Sequence, residues 1–238
     1  LLVGGRTGYV NEPVGLSPGG SSAVIARSFE LAGELGARSA AAMYLTRRGA
    51  DEVVETIDGI VTLLWGVGTA MDVEWDGFEG YVASLNAHRR TTVKRDLARF
   101  AAGEAVVTVE PLSELMPEAA RLVMNVQRRY GTCDTLDGVE EYLGALVEEL
   151  DARTRVFAAR RGAELLGFGL AFEFERCLYM RLVGFDYERM GDESVYFEVC
   201  YYAPIRYAAE RGLAAIDFGA ASLRPKLLRG ARPSPRFV

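Results

Sequence analysis

The stretch RVFAARRGAELLGFGLAFEFERCLYMRLVGF, residues 155–185, decides the fold. It carries three strand signals in quick succession, Arg155–Arg160, Glu164–Phe174 and Cys177–Phe185, each rich in β-branched, aromatic or other apolar residues. Arg161-Gly162 and the polar pair Glu175-Arg176 separate them by hairpin-length breaks, so an antiparallel meander is expected. Upstream, Val106–Val109 reads as a strand ending at Pro111, and Leu115–Tyr130 and Val139–Asp151 read as amphipathic helices. Downstream, Ser194–Glu210 reads as one long helix, stopped by Arg211-Gly212, and Ala215–Phe218 as a strand. The tail, residues 219–238, is rich in Gly, Pro and Arg. Strand, two helices, three antiparallel strands, long helix and strand make an α+β layout, a mixed sheet flanked by helices.

The first hundred residues hold their own mixture. Leu1–Val3 reads as a strand and residues 4–20 as a Gly- and Pro-rich loop. Ser21 or Ser22 can cap a helix running to Leu35, Ser39–Leu45 is a short strand, Asp51–Thr56 a short helix and Val61–Trp65 another strand. Residues 78–100 read as one charged helix with a partial apolar stripe of Leu85, Val93, Leu97 and Phe100. The expected division therefore falls after this helix, giving residues 1–103 and 104–238. The chain opens on Leu1-Leu2-Val3 with no initiating Met, and its first part is expected to continue upstream.

Composition narrows the functional classes. Of 238 residues, 50% are hydrophobic and 25% charged, which suits a globular chain with a sizeable core. No apolar run approaches the roughly 20 residues of a helical membrane span, and no membrane partner is expected. His88 is the single histidine, which disfavours a Ser-His-Asp triad and a multi-histidine metal site. Cys133, Cys177 and Cys200 match no zinc spacing and read as buried thiols in a reducing cytoplasm. Asp186, Glu188, Asp192 and Glu193 fit no calcium loop and read as a solvated acidic turn, so no metal is expected. Gly4-Gly5-Arg6-Thr7-Gly8 lacks the Lys-Ser/Thr ending of a P-loop. Trp65 and Trp75 read as core or interface anchors. The net charge of −6 gives no overall attraction to nucleic acid, although a local basic patch remains open. Lys94 and Lys226 are the only lysines in a chain that otherwise uses arginine.

The order of elements resembles the GNAT acyltransferase fold, in two GNAT-like halves. Two segments make the resemblance more specific. Ser84-Leu85-Asn86-Ala87-His88-Arg89-Arg90-Thr91-Thr92-Val93-Lys94-Arg95 is similar to the Arg-rich helix that follows the first half of Fem-type transferases. Tyr201-Tyr202-Ala203-Pro204-Ile205-Arg206-Tyr207-Ala208, then Phe218-Gly219-Ala220, then Lys226-Leu227-Leu228-Arg229-Gly230, is similar to that group's C-terminal pattern. The resemblance implies a bacterial, cytoplasmic enzyme that moves an aminoacyl group from charged tRNA to an amine on a peptide or small molecule. Charged tRNA is then a co-substrate and no bound cofactor is needed. The alternatives are an acyl-CoA-dependent N-acyltransferase and a non-catalytic GNAT-like binding module. Where CoA-dependent members carry a glycine-rich loop for the pyrophosphate, residues 184–194 here are acidic, a poor pyrophosphate cradle.

Aminolysis of an ester needs a deprotonated amine, a stabilised oxyanion and a protonated leaving oxygen. Lys226 matches the family lysine and is the candidate for the oxyanion or a phosphate; the alternative is a solvated surface lysine. Arg224, Arg229 and Arg232 surround it and suit a phosphate or carboxylate, or else belong to a disordered basic terminus. Glu198 and Tyr202 stand four apart on the expected long helix and can share a proton-handling site. Tyr201 either lines the substrate site or packs in the core with Phe197 and Ile205. Arg89, Arg90 and Lys94, with Arg95 and Arg99, suit tRNA phosphates or a solvated helix face, with Asp96 diluting the patch. The expected cleft lies between 198–202 and 226–229.

Overall fold

The computed structural model describes residues 2–3, 20–116, 118–132, 134–191 and 193–238. The chain forms two compact units, one of residues 71–218 with 228–230 and the other of residues 1–70 with 219–227 and 231–238. The division thus differs from the expected cut at 103. The charged helices before that point carry inward-facing Tyr81, Val93 and Asp96, which bury in the larger unit, while the end of the chain belongs to the smaller one.

In the larger unit the expected meander is present. β5 (Thr154–Arg161), β6 (Glu164–Phe174) and β7 (Cys177–Phe185) pair antiparallel, with Phe157 opposite Gly169 and Gly169 opposite Val183. β4 (Val106–Glu110) flanks β5 antiparallel, and β8 (Ala215–Gly219) pairs parallel with the start of β7 through Cys177–Ala215 and Tyr179–Asp217. The sheet order is β4-β5-β6-β7-β8. β6 is buried along most of its length, which explains its near-continuous apolar run. α5 (Glu118–Tyr130) and α6 (Leu136–Leu150) cover one face through Leu112, Leu115, Leu122, Val139, Leu143 and Phe168. Thr135 caps α6 by accepting the N–H of Gly138 at 3.1 Å.

The glycines inside β6 and β7 mark close approach. A Cβ at Gly169 would stand 2.5 Å from the Val199 carbonyl oxygen, and one at Gly184 would stand 2.8 Å from Leu122 Cβ.

Two expected helices are interrupted, each for a local reason. Residues 78–100 divide into α3 (Gly77–Ser84) and α4 (Ala87–Ala102). Asn86 adopts extended backbone and its side chain accepts the Arg89 N–H at 2.9 Å, so it starts a new helix rather than continuing the old one. The long helix after β7 is α7 (Val195–Phe197), a π-helical run Glu198–Tyr202 and α8 (Ala203–Glu210). Pro204 has no N–H and its ring would crowd the Cys200 carbonyl in a regular helix. The chain widens instead, with Ala203 N–H bonding Glu198 five residues back.

In the smaller unit, β1 (Leu2–Val3) pairs parallel with β2 (Ala41–Ala42), a shorter strand than expected. α1 is described over Gly20–Glu34, so its first described residue precedes Ser21 and Ser22. α2 (Arg47–Thr56) is capped by Thr46, which accepts the Gly49 N–H at 3.1 Å. Ile25, Leu45, Ala50, Val53 and Phe237 form the core with Phe29 and Ile57.

The expected strand at 61–65 lies further on, as β3 (Leu64–Asp72). Its partner is β9 (Arg232–Phe237), antiparallel from Leu64–Phe237 to Ala70–Arg232. The basic tail is therefore ordered, with a short α9 (Leu223–Leu228) before the strand. Pro233 and Pro235 are tolerated because they share the parity of Phe237, whose N–H points away from β3 to the Leu45 carbonyl at 2.9 Å. The Gly4–Gly8 run lies outside the described residues.

The Gly169–Val199 approach yields a prediction. Gly169→Ala should destabilise the protein by about 1–3 kcal/mol, because its new methyl meets backbone rather than a movable side chain. Urea unfolding measures it, and an unchanged midpoint would contradict the packing described.

Candidate functional site

In the larger unit, the expected site residues assemble into an internal polar network. Arg229 is 2% and Asp96 1% exposed, and the two form an ion pair. Arg229 Nε donates to the Tyr202 hydroxyl at 3.0 Å, and that hydroxyl donates to Asp96 Oδ2 at 2.8 Å. Tyr81 donates to the Arg229 backbone carbonyl at 2.8 Å. The guanidinium carbon stands 3.7 Å from the Phe197 ring centroid and 5.1 Å from that of Tyr201. Burial pushes the Tyr81, Tyr201 and Tyr202 phenols well above their ordinary range, the nearby Arg229 charge opposing it. They therefore stay protonated, and Tyr81 and Tyr202 act as donors.

This geometry departs from the expectations for Arg229, Tyr202 and Asp96, and meets one of the two alternatives for Tyr201. Arg229 is a buried structural cation matched to Asp96, in place of a phosphate-binding tail residue. Tyr202 fixes that pair through its hydroxyl. Tyr201 is core, its hydroxyl 3.1 Å from that of Tyr196 and its ring 5.4 Å from Phe218. Asp96 does not dilute a basic surface, because it points inward.

Glu198 and Tyr202 take different partners. Five residues of π-helix alter the four-residue spacing, and Glu198 pairs with Arg206 without a well-directed hydrogen bond. Arg206 in turn sits 4.9 Å above the Phe78 ring. Glu198 is thus a buried acid offsetting a half-buried guanidinium.

The basic helix α4 divides along its length. Lys94, Arg95 and Arg99 are exposed, while Arg89 and Arg90 are half-buried and Arg90 donates to the Leu85 carbonyl at 3.1 Å. The acidic turn is partly internal rather than wholly solvated. Asp186 is buried, accepts the Arg189 N–H at 3.2 Å and pairs with Arg121 at 3.2 Å, and Glu193 pairs with Arg161. Asp192 and Cys133 lie outside the described residues. Cys177 and Cys200 are not in disulfides. Among the described residues no cluster of His, Cys, Asp and Glu fits a metal ion.

Lys226 belongs to the smaller unit and is buried, 6% exposed. The alternative of a solvated surface lysine is thereby excluded. Its Nζ donates to the Gly219 carbonyl at 3.1 Å and the Ala220 carbonyl at 2.7 Å. Gly219 O also accepts from Thr69 Oγ1 at 2.9 Å. Gly219, Ala221 and Ser222 all hold positive φ, 67°, 61° and 45°, so the ammonium braces a turn containing two strained non-glycine residues. Arg224 and Arg232 are exposed in this unit.

Gly219, Ala220 and Ala221 also wall a cavity of about 260 Å³ in the same unit, with Trp65, Gly68 and Arg236. The sequence reading missed this feature. Its signal was Trp65-Gly66-Val67-Gly68: two glycines two apart on a strand clear one face beside an aromatic.

Cutting the buried ion pair has a defined cost. Asp96→Ala leaves Arg229 buried without its carboxylate and should destabilise by about 3–5 kcal/mol, whereas Asp96→Leu combined with Arg229→Met should recover most of the loss. Denaturant unfolding of the single and double variants measures both.

Solved structures resemble this fold. The C-terminal domain of a putative lysylphosphatidylglycerol synthetase from Agrobacterium fabrum superposes with TM-score 0.72 at 14% identity, over 91% of this chain and 72% of that one. A conserved protein of unknown function from Bacteroides thetaiotaomicron gives 0.69 at 10% identity, over 91% and 74%. FemX gives 0.62 at 12% identity, over 99% and 79%. At these identities the likeness is one of fold. No curated protein sequence is significantly similar to the chain. The family match is more specific than any of these: over residues 19–237 the chain belongs to the FemAB-like family, described as peptidoglycan biosynthesis/recognition proteins.

Proposed function

We propose that this protein is a cytoplasmic amide-forming transferase that moves an aminoacyl group from charged tRNA to an amine on a peptide or small molecule. Lys226 carries the reading. It occupies the lysine position of the Fem-type C-terminal pattern, and its ammonium is held by two carbonyls whose residues wall a cavity.

The chemistry asks little of the protein beyond positioning and charge. The acceptor amine attacks the ester carbonyl, a C–N bond forms, and the carbonyl oxygen becomes an oxyanion. Collapse breaks the ester C–O bond and expels the ribose oxygen, which takes the proton lost by the amine. An ester is already activated, so alignment supplies much of the rate. Lys226 is the group we assign to the oxyanion, because an ammonium already fixed by carbonyls pays no reorganisation when charge develops. Exposed Lys94, with Arg95 and Arg99 on the same helix, suits tRNA phosphates.

The paired acids at Asp186 and Glu193 support charged tRNA over an acyl-CoA donor. Both lie in the turn that the resemblance aligns with the glycine-rich CoA loop, where they put carboxylate side chains in place of bare glycine amides.

The test is turnover with purified charged tRNAs and a panel of amines, read by mass. Lys226→Met should fold, and should lower kcat by roughly 10²–10³-fold with little change in KM, the loss typical of one oxyanion donor. Lys94→Glu should instead raise KM for charged tRNA and weaken its salt dependence. Micromolar binding of acetyl-CoA, or full activity in Lys226→Met, would overturn the assignment.

A further inference from the structure

β4 is the outer strand of the larger unit's sheet, and no described strand pairs with its far side. Its register with β5 runs unbroken from Val106–Arg160 to Glu110–Val156, so no bulge turns the edge away. The strand reads Val-Val-Thr-Val-Glu and holds neither proline nor lysine. Alternate residues therefore turn both N–H and C=O outward, a template for one more strand. Its side chains are open to solvent: Val106 is 62% and Val109 45% exposed, and Thr108 is exposed. The smaller unit treats its own outer strand differently, since Pro233 and Pro235 remove N–H groups from the side of β9 that faces away from β3.

The charges around β4 select its occupant. Val106, Thr108 and Glu110 share one face of the sheet with Arg160, Ala158 and Val156 of β5. On that face Thr108 Oγ1 donates to Glu110 Oε1, and Arg160 reaches Glu110 at 3.6 Å and Glu118 at 3.4 Å. Acid and base are thus gathered beside Thr108. We infer that two copies of this chain pair β4 with β4, antiparallel about a two-fold axis at Thr108, and form a homodimer. Only a register centred on a residue keeps matching faces together, and Thr108 is the central residue of the strand. That register sets Thr108 against Thr108, Val107 against Val109, and Val106 of one copy against Glu110 of the other. Val106 has Arg160 as its neighbour on β5, so the acid of each copy lands one strand from the guanidinium of the other. An extended peptide of unrelated sequence would gain the backbone bonds without this charge match. A strand of 5 residues makes a small interface, and the dimer is expected in the micromolar range. The inference does not depend on the transferase reading.

The test is sedimentation velocity of the whole chain at physiological ionic strength, over about 1 to 200 µM protein, which brackets a micromolar Kd. The mass should double with concentration and stop at two copies, because the pairing uses up the edge. Thr108→Lys sets two ammonium groups opposite each other at the axis and should weaken the dimer about fivefold or more. Thr108→Glu alone should do the same. An equal mixture of the two variants should dimerise again, a result that a folding defect cannot produce. Thermal midpoints check that each variant is folded. A chain that stays monomeric over the whole range overturns the proposal, and so does growth past two copies. A folded Thr108→Lys that dimerises like the parent overturns the location. Folded variants whose mixture stays monomeric overturn the antiparallel register.

Discussion

A buried cation has to be met by oxygen, and this chain meets that requirement twice within four residues. Lys226 is answered by backbone carbonyls of Gly219 and Ala220, and Arg229 by the carboxylate of Asp96. The two solutions differ in consequence. Carbonyl dipoles orient the Lys226 ammonium, the arrangement that its proposed role at a developing negative charge calls for. A carboxylate cancels the guanidinium and turns it into an internal brace. Of two neighbouring basic residues, one is the residue we propose for chemistry and the other braces the architecture.

The architectural pair explains much of the larger unit. Asp96 comes from α4, Tyr202 from the π-helical run and Tyr81 from α3, and all three converge on Arg229. Such a network does not add stability cheaply, since both ions are taken out of water. Its effect is to make other arrangements of α3, α4 and the π-helical run costly, because each would leave a charge unpaired. The π-helix fits the same logic. It answers a proline at 204 and lays the Val199 carbonyl against the glycine at 169.

Legibility followed the range of the interactions. The meander was readable because its alternation, its turns and its pairing are local, and its strands lie within a residue of their expected bounds. The division of the chain was not, because it depends on β9 returning to β3 from far along the sequence. The tail looked irregular since Pro233 and Pro235 argue against a strand unless its open edge is known. At the site, the lysine stood out by family pattern and by rarity. The arginines did not sort themselves: Arg224 and Arg229 look alike in sequence, and only burial against Asp96 separates them. Asp96 was misread because a helix listing of charges does not say which face is wet. The cavity was missed because Arg236 and the glycines that wall it are distant in sequence and silent in composition.

The central claim is that Lys226 is placed for the carbonyl oxygen of an aminoacyl ester. A crystal structure with a non-hydrolysable 3′-amide analogue of aminoacyl-adenosine tests it directly. The account predicts the analogue's carbonyl oxygen within about 3 Å of Lys226 Nζ, a normal charged hydrogen bond. An analogue seated against residues 186–194, with Lys226 bonded only to Gly219 and Ala220, would contradict it.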